Sequence, residues 1–215
     1  MRTLAIVNLK GGTGKTVSAA NMAHILAALH RKKVLLVDGD KQGSASRYFS
    51  VYGEHDGTAA LLLADGLDAE AVERAIYRTG YYGLDIITSN LELYAADRAL
   101  YDRQDTDTAR VLSSVLDHVR NDYDFCIIDN GPSVDTVTLN VLAAADDVLI
   151  PIRPDEFSFS GLLDLVEQVQ AVQESVNPGL TLRGAFFTHW QNRETFAQAR
   201  RSLEDSGICS VLQTA

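Results

Sequence analysis

Short, unbroken apolar runs recur along the chain at 4–7, 34–37, 84–87, 125–128, 148–150 and 182–187. Between them, apolar residues return with helical spacing at 17–29, 69–77, 106–119, 136–144, 161–172 and 195–203. Strand and helix in strict alternation predict stacked β-α-β units around a largely parallel sheet. The strand runs are continuous rather than alternately polar, as expected when helices cover both faces. The expected fold is therefore α/β and doubly wound, a mainly parallel sheet with helices on both faces. The 215 residues suit one such domain, spanning 1–215, and no repeat, low-complexity tract or linker divides it. The stretch 53–57, containing Glu54, His55 and Asp56, is the most loop-like. In sheets of this kind ligands sit beyond the carboxyl ends of the strands, so the residues just past each strand carry the chemistry.

Composition narrows the classes. Hydrophobic residues at 46% and charged residues at 22% are ordinary for a globular protein. A net charge of -10 argues against a surface that is basic all over, leaving only a local patch for nucleic acid. No apolar run is long enough to span a membrane, and the first residues lack a signal-peptide pattern, so a cytoplasmic location is expected. Cys126 and Cys209 stand far apart without a CxxC partner, which points to plain buried thiols rather than metal ligands.

Directly after the first strand run comes Lys10-Gly11-Gly12-Thr13-Gly14-Lys15-Thr16, followed by a helical stretch. Strand, glycine-rich turn, helix is the context of a phosphate loop: the glycines let backbone N–H groups turn onto phosphate oxygens, and the helix adds its positive end. Lys15 would bridge the β- and γ-phosphates of ATP, and the Thr16 hydroxyl would ligate Mg²⁺. At about 7% per position, chance occurrence of this pattern in such a chain is on the order of 10⁻⁴. The common phosphate-loop pattern has glycine where Leu9 stands, and here a lysine, Lys10, follows instead. Two acidic sites also end strand runs. Asp38 and Asp40 follow the second. Asp129, with Asn130-Gly131-Pro132 behind it, follows the fourth, and a carboxylate there calls for a cation such as Mg²⁺.

Together these residues resemble the ParA/MinD family of deviant Walker-A ATPases, whose loop carries the extra lysine. The resemblance continues through 17–23, through Asp38-Gly39-Asp40-Lys41-Gln42-Gly43-Ser44, where the family usually has proline at position 41, and through 143–162, including Pro154 and Phe157. It implies that Asp40 positions the attacking water and that Asp38 supports the magnesium shell. Lys10 would reach across a two-fold homodimer to the partner's nucleotide, and Gln191 would lie near the adenine. The resemblance is nearest to ParA-type partition ATPases, which implies ATP-dependent dimerisation, stimulation by a ParB-like centromere-binding partner, and contact with nonspecific DNA. Arg193, Arg200 and Arg201, with Arg183 nearby, are the candidate phosphate contacts, and a solvated helix face is the equal alternative. DNA contact would place the protein on the nucleoid within the cytoplasm. Family members continue into a further loop and C-terminal helix, so that segment is expected to be missing here. A MinD-like positioning ATPase and a non-hydrolysing nucleotide-dependent scaffold are the alternatives, the second because Lys41 and Gly131 depart from the family in both loops. No membrane partner is expected, since the amphipathic helix it needs is not seen.

Overall fold

A computed structural model of the chain describes residues 1–53, 57–64, 66–103, 106–154 and 159–213. Glu54, His55, Asp56 and Phe157 lie outside those residues. Seven strands form one sheet: β1 Arg2–Ile6, β2 Val34–Gly39, β3 Ile76–Arg78, β4 Leu84–Ile87, β5 Phe125–Asn130, β6 Asp147–Ile152 and β7 Thr181–Phe187. Their order is β3-β4-β2-β5-β1-β6-β7, and all pairs are parallel except β3 with β4. The expected doubly wound architecture is the one found.

The helices are α1 Lys15–Ala28, α2 Ser44–Tyr48, α3 Gly57–Leu63, α4 Ala69–Ala75, α5 Leu93–Arg103, α6 Val111–Val119, α7 Thr136–Ala144, α8 Phe159–Ser175 and α9 Glu194–Ser206. Successive strand residues point to opposite faces. Ala5, Val7, Leu35, Val37 and Ile128 join a core completed by Leu61, Leu93, Leu116, Val141 and Leu165 of the helices on that side. Ile6, Leu36 and Ile127 join a second core against Ala19, Ala23 and Ala27 of α1. That alanine stripe brings α1 close to the sheet. Cys126 is fully buried in β5 and Cys209 is half-buried, and burial pushes both thiols up.

Several elements depart from the spacing argument. The helical pattern at 69–77 stops at Ala75, because Ile76 takes an extended conformation and pairs with Ile87 at the sheet edge. The pattern at 106–119 opens with a 3-10 turn, Thr106–Arg110, before α6. Three helices went unforeseen. The sequence of α3, GTAALLL, is apolar almost throughout and so has no helical period to read, whereas α2 is five residues long and α5 is largely polar.

Candidate functional site

The strand order decides where the site lies. β5 sits between β1 and β2, so its last residues meet the ends of both: Asp129 is in register with Ile6 on one side and with Asp38 on the other. Both acidic sites read from the sequence therefore lie on one side of the turn leaving β1, Asp129 on the adjacent strand and Asp38 one strand beyond.

That turn runs from Asn8 into α1. Asn8 pins its start, donating from Nδ2 to the Pro151 carbonyl at 2.7 Å and accepting at Oδ1 from the Lys10 N–H at 2.9 Å. Gly14 caps α1 in the left-handed region, φ 87°, where glycine alone is unstrained, and a β-carbon there would stand 3.3 Å from Thr188. Thr188, just past β7, closes the far wall by donating to the Thr13 carbonyl at 2.7 Å. Inside this cradle Lys15 is buried, and its Nζ donates to the Lys10 carbonyl at 3.0 Å. Burial holds its ammonium below the usual lysine range, and the charges of Asp129 and Asp40 oppose that shift. A buried cation held by one carbonyl of its own loop is ready to exchange it for an anionic oxygen.

The three carboxylates play different parts. Asp38 is fully buried and held by three hydrogen bonds: Oδ2 accepts from the Ser46 N–H and hydroxyl at 2.7 Å each, and Oδ1 accepts from the Asp40 N–H at 3.1 Å. Burial outweighs these bonds and pushes its carboxyl up to about 6. Asp38 thus braces the loop around Asp40, and its oxygens are engaged there. Asp40 accepts from Ser44 Oγ at 2.6 Å and from the Gln42 N–H at 3.0 Å, leaving lone pairs on both oxygens. Its Oδ1 faces Gly131, where a β-carbon would come within 3.4 Å. Gly43, at φ 61°, lets this loop turn: a β-carbon there would lie 2.5 Å from the Ser89 carbonyl oxygen.

Asp129 differs from both. It is fully buried, and neither carboxylate oxygen has a hydrogen-bond partner. Burial pushes its carboxyl well above the usual range and the Asp38 charge adds to this, while the neighbouring Thr16 hydroxyl and the Lys15 charge favour the charged form. Two orphaned oxygens beside a threonine hydroxyl are a donor set that fits a hard divalent cation sharing its other ligands with phosphate and water. Among the described residues no group of three or more His, Cys, Asp or Glu could hold a metal by itself.

The remaining predicted residues lie farther out. Lys10 is exposed on the phosphate turn, beside Gly11 and Gly12. Gln191 is exposed in the loop after β7, where its carbonyl accepts from the Arg193 N–H at 2.8 Å. Trp190 packs against Phe187 and Phe196 with centroids 5.7 and 5.9 Å away, a packing role. Arg193 caps α9, Arg200 pairs with Glu204 at 2.9 Å, and Arg201 pairs with Glu194. Arg183 pairs with Asp147 on β6. Three of the four candidate phosphate contacts thus hold acidic partners. Sequence reasoning missed Asn8, Thr188 and Arg153, whose guanidinium lies 3.7 Å from where a Gly12 β-carbon would stand. A cavity of about 1070 Å³ lined by Arg31, Lys33, Asp85 and Tyr123 opens at the amino ends of the strands, away from this chemistry.

Comparison with known proteins agrees with this geometry. A family model described as an AAA domain matches residues 1–182. The chromosome-partitioning ATPase Soj of Treponema pallidum is 38% identical over 198 residues, covering 92% of this chain and 75% of that protein. A crystal structure of cobyrinic acid a,c-diamide synthase from Mycobacterium smegmatis, with bound ATP analog and magnesium, superposes with a TM-score of 0.90 at 28% identity, covering 100% of this chain and 86% of that one. A putative plasmid partition protein from Borrelia burgdorferi bound to AMPPNP superposes with a TM-score of 0.76 at 25% identity, covering 95% and 82%. The glycine-rich turn with its two lysines, the paired acidic strand ends and these likenesses over nearly the whole chain together make it a member of the ParA/MinD family of deviant Walker-A P-loop ATPases.

Proposed function

We propose that this chain is a ParA-type partition ATPase whose ATP-bound form is a homodimer. The observation that carries the reading is the orphaned Asp129 carboxylate beside Thr16 and the folded-back Lys15. In this reading Lys15 leaves the Lys10 carbonyl for phosphate oxygens, while the N–H groups of Gly11 to Thr16 line the phosphates. Thr16 and Asp129 would hold Mg²⁺. Bound there, the ion supplies charge neutralisation at the phosphates. Asp40, with both oxygens oriented by Ser44 and Gln42, holds the attacking water in line. Asp38, held by three hydrogen bonds, keeps Asp40 in place and would support the magnesium shell. Lys10 extends from the rim toward the partner subunit's nucleotide, supplying a cation in trans worth roughly 10³ to 10⁵ in rate in related systems. Gln191 would approach the adenine.

Likeness to chromosome-partitioning relatives supports the cellular role in this reading: slow ATP turnover, stimulated by a ParB-like protein, moves a DNA cargo through the cytoplasm. DNA is engaged nonspecifically through the α9 side of the dimer. Because Arg200 and Arg201 already hold carboxylate partners, this contact is weak and strongly dependent on salt. The test is ATPase rate with and without nonspecific duplex DNA at low salt. Binding with faster turnover is the expected result. Absence of both binding and stimulation would overturn the DNA arm of the proposal.

A further inference from the structure

Lys41 stands where the resembling motif has proline, and the function proposed above gives it no task. Its side chain is only 14% exposed, an unusual place for lysine. Its Nζ lies 2.8 Å from Asp97 Oδ2 of α5 and 2.7 Å from Asp135 Oδ2, and 5.2 Å from the Tyr94 ring centroid. Burial works against the ammonium, yet the bonds and charges of Asp135 and Asp97 outweigh it and raise the group above its ordinary range. In turn the Lys41 bond and charge, with the bonds from Ser133 and Thr138, hold Asp135 below the usual carboxylate range against its own burial.

The partners of this lysine matter more than its burial. Asp135 caps α7 by accepting from the Thr138 N–H at 2.8 Å, and it also accepts from the Ser133 hydroxyl. Thr138 in turn donates to the Ser133 carbonyl at 2.7 Å, and Asn130 Nδ2 donates to Thr138 Oγ1 at 3.1 Å. Asp97 reaches the same helix, accepting from the Val137 N–H at 3.2 Å. The turn at 131–135 that follows Asp129 is therefore tied to Lys41, the residue next to Asp40. The circuit closes where Gly131 faces Asp40 Oδ1.

We infer that Lys41 is a positioning residue: through Asp135 and Asp97 it binds the loop carrying Asp40 to the turn following Asp129, so that the two acidic arms of the site are set as one unit. This deepens the ATPase reading and rests on it for its kinetic consequence. Proline would stiffen its own loop only, whereas a partly buried cation between two carboxylates couples two loops and a helix. A misplacement on the order of 1 Å at such a site costs up to about 10² in rate.

The test compares the full-length wild type with Lys41→Met, Lys41→Arg and Asp97→Asn. Lys41→Met is expected to lower kcat about tenfold or more while ATP affinity stays within about twofold, because the phosphate turn is untouched. Lys41→Arg, which can keep both ion pairs, is expected to recover most of the loss. Hydrogen exchange of the nucleotide-free protein gives a second readout: amides of 131–138 should lose protection in Lys41→Met, and partly in Asp97→Asn. A lower melting temperature with unchanged kcat and unchanged exchange at 131–138 would overturn the inference. Should the wild type fail to hydrolyse ATP, the ATPase reading falls while exchange still decides the coupling. Should Lys41→Met not fold, Asp97→Asn decides it by the same two readouts, and unchanged protection at 131–138 counts against the inference.

Discussion

The state of Asp129 makes a prediction against the usual effect of mutating a buried residue: Asp129→Ala should stabilise the nucleotide-free protein. The side chain is fully buried with two unbonded oxygens and lies in register with Asp38 on the neighbouring strand. A buried polar group without a partner costs about 1–3 kcal/mol, and more when charged. Against this, alanine leaves a gap of a few atoms lined partly by polar groups, and Lys15 loses a nearby opposite charge. The net expectation is a gain of about 1–2 kcal/mol, or roughly 2–8 °C in melting temperature for a chain of this size. The pH dependence has a definite sign. The folded-state pKa of Asp129 is raised, so its folded state is favoured while the group keeps its proton and loses that advantage as pH rises through the raised value. The variant's lead over wild type should therefore widen from pH 5 to pH 8. Asp38, pushed from 3.8 to about 6 chiefly by burial, is relieved of the like charge of Asp129 in the variant, which acts in the same direction as pH rises. The assay is thermal unfolding in EDTA across that range, repeated with Mg²⁺ and ATP. Wild type should gain about 2.7 kcal/mol at ligand a hundredfold above Kd, and the variant much less. A variant that melts below wild type at pH 8 without ligand would refute the reasoning, since Asp129 would then be satisfied in the free protein.

Two further substitutions test the frame around that site. Lys15→Ala removes the buried cation of the phosphate turn, and ATP binding measured by calorimetry should fall below detection while the fold, followed by circular dichroism, persists. Gly43→Ala places a methyl 2.5 Å from the Ser89 carbonyl oxygen at φ 61°. It should lower the melting temperature by an amount corresponding to more than about 1 kcal/mol, and it should also slow turnover because Asp40 is carried by the same turn. Loss of stability with full activity would mean that the turn does not set Asp40.

The parts of this protein that were readable from sequence are those whose physics is local. A run such as Leu35-Leu36-Val37 reads as a buried strand, and glycines around Lys15 between a strand and a helix read as a turn that approaches an anion closely. The placement of Asp129 at a strand end was readable for the same reason. Its isolation was not, because it depends on β5 lying between β1 and β2, a matter of strand order. Asn8 and Thr188 were missed because they act on residues 143 and 175 positions away. Lys41 was visible as a departure from the motif, but its partners on α5 and at the start of α7 come together only in the fold. The pairing of Arg200 with Glu204 was in principle legible, since four residues along a helix bring charges together. β3 escaped because pairing at the sheet edge overrode the helical spacing of Ile76 and Tyr77.

The central claim is that ATP joins two copies of this chain through a shared site, and light scattering measures it directly. The mass of wild type and of Asp40→Ala would be followed without nucleotide, with ADP and with ATP, each in the presence of Mg²⁺. The account predicts that ATP alone doubles the mass, and that Asp40→Ala, unable to orient water, stays dimeric long after wild type has returned to monomer. An Asp40→Ala protein that binds ATP and remains strictly monomeric would contradict it.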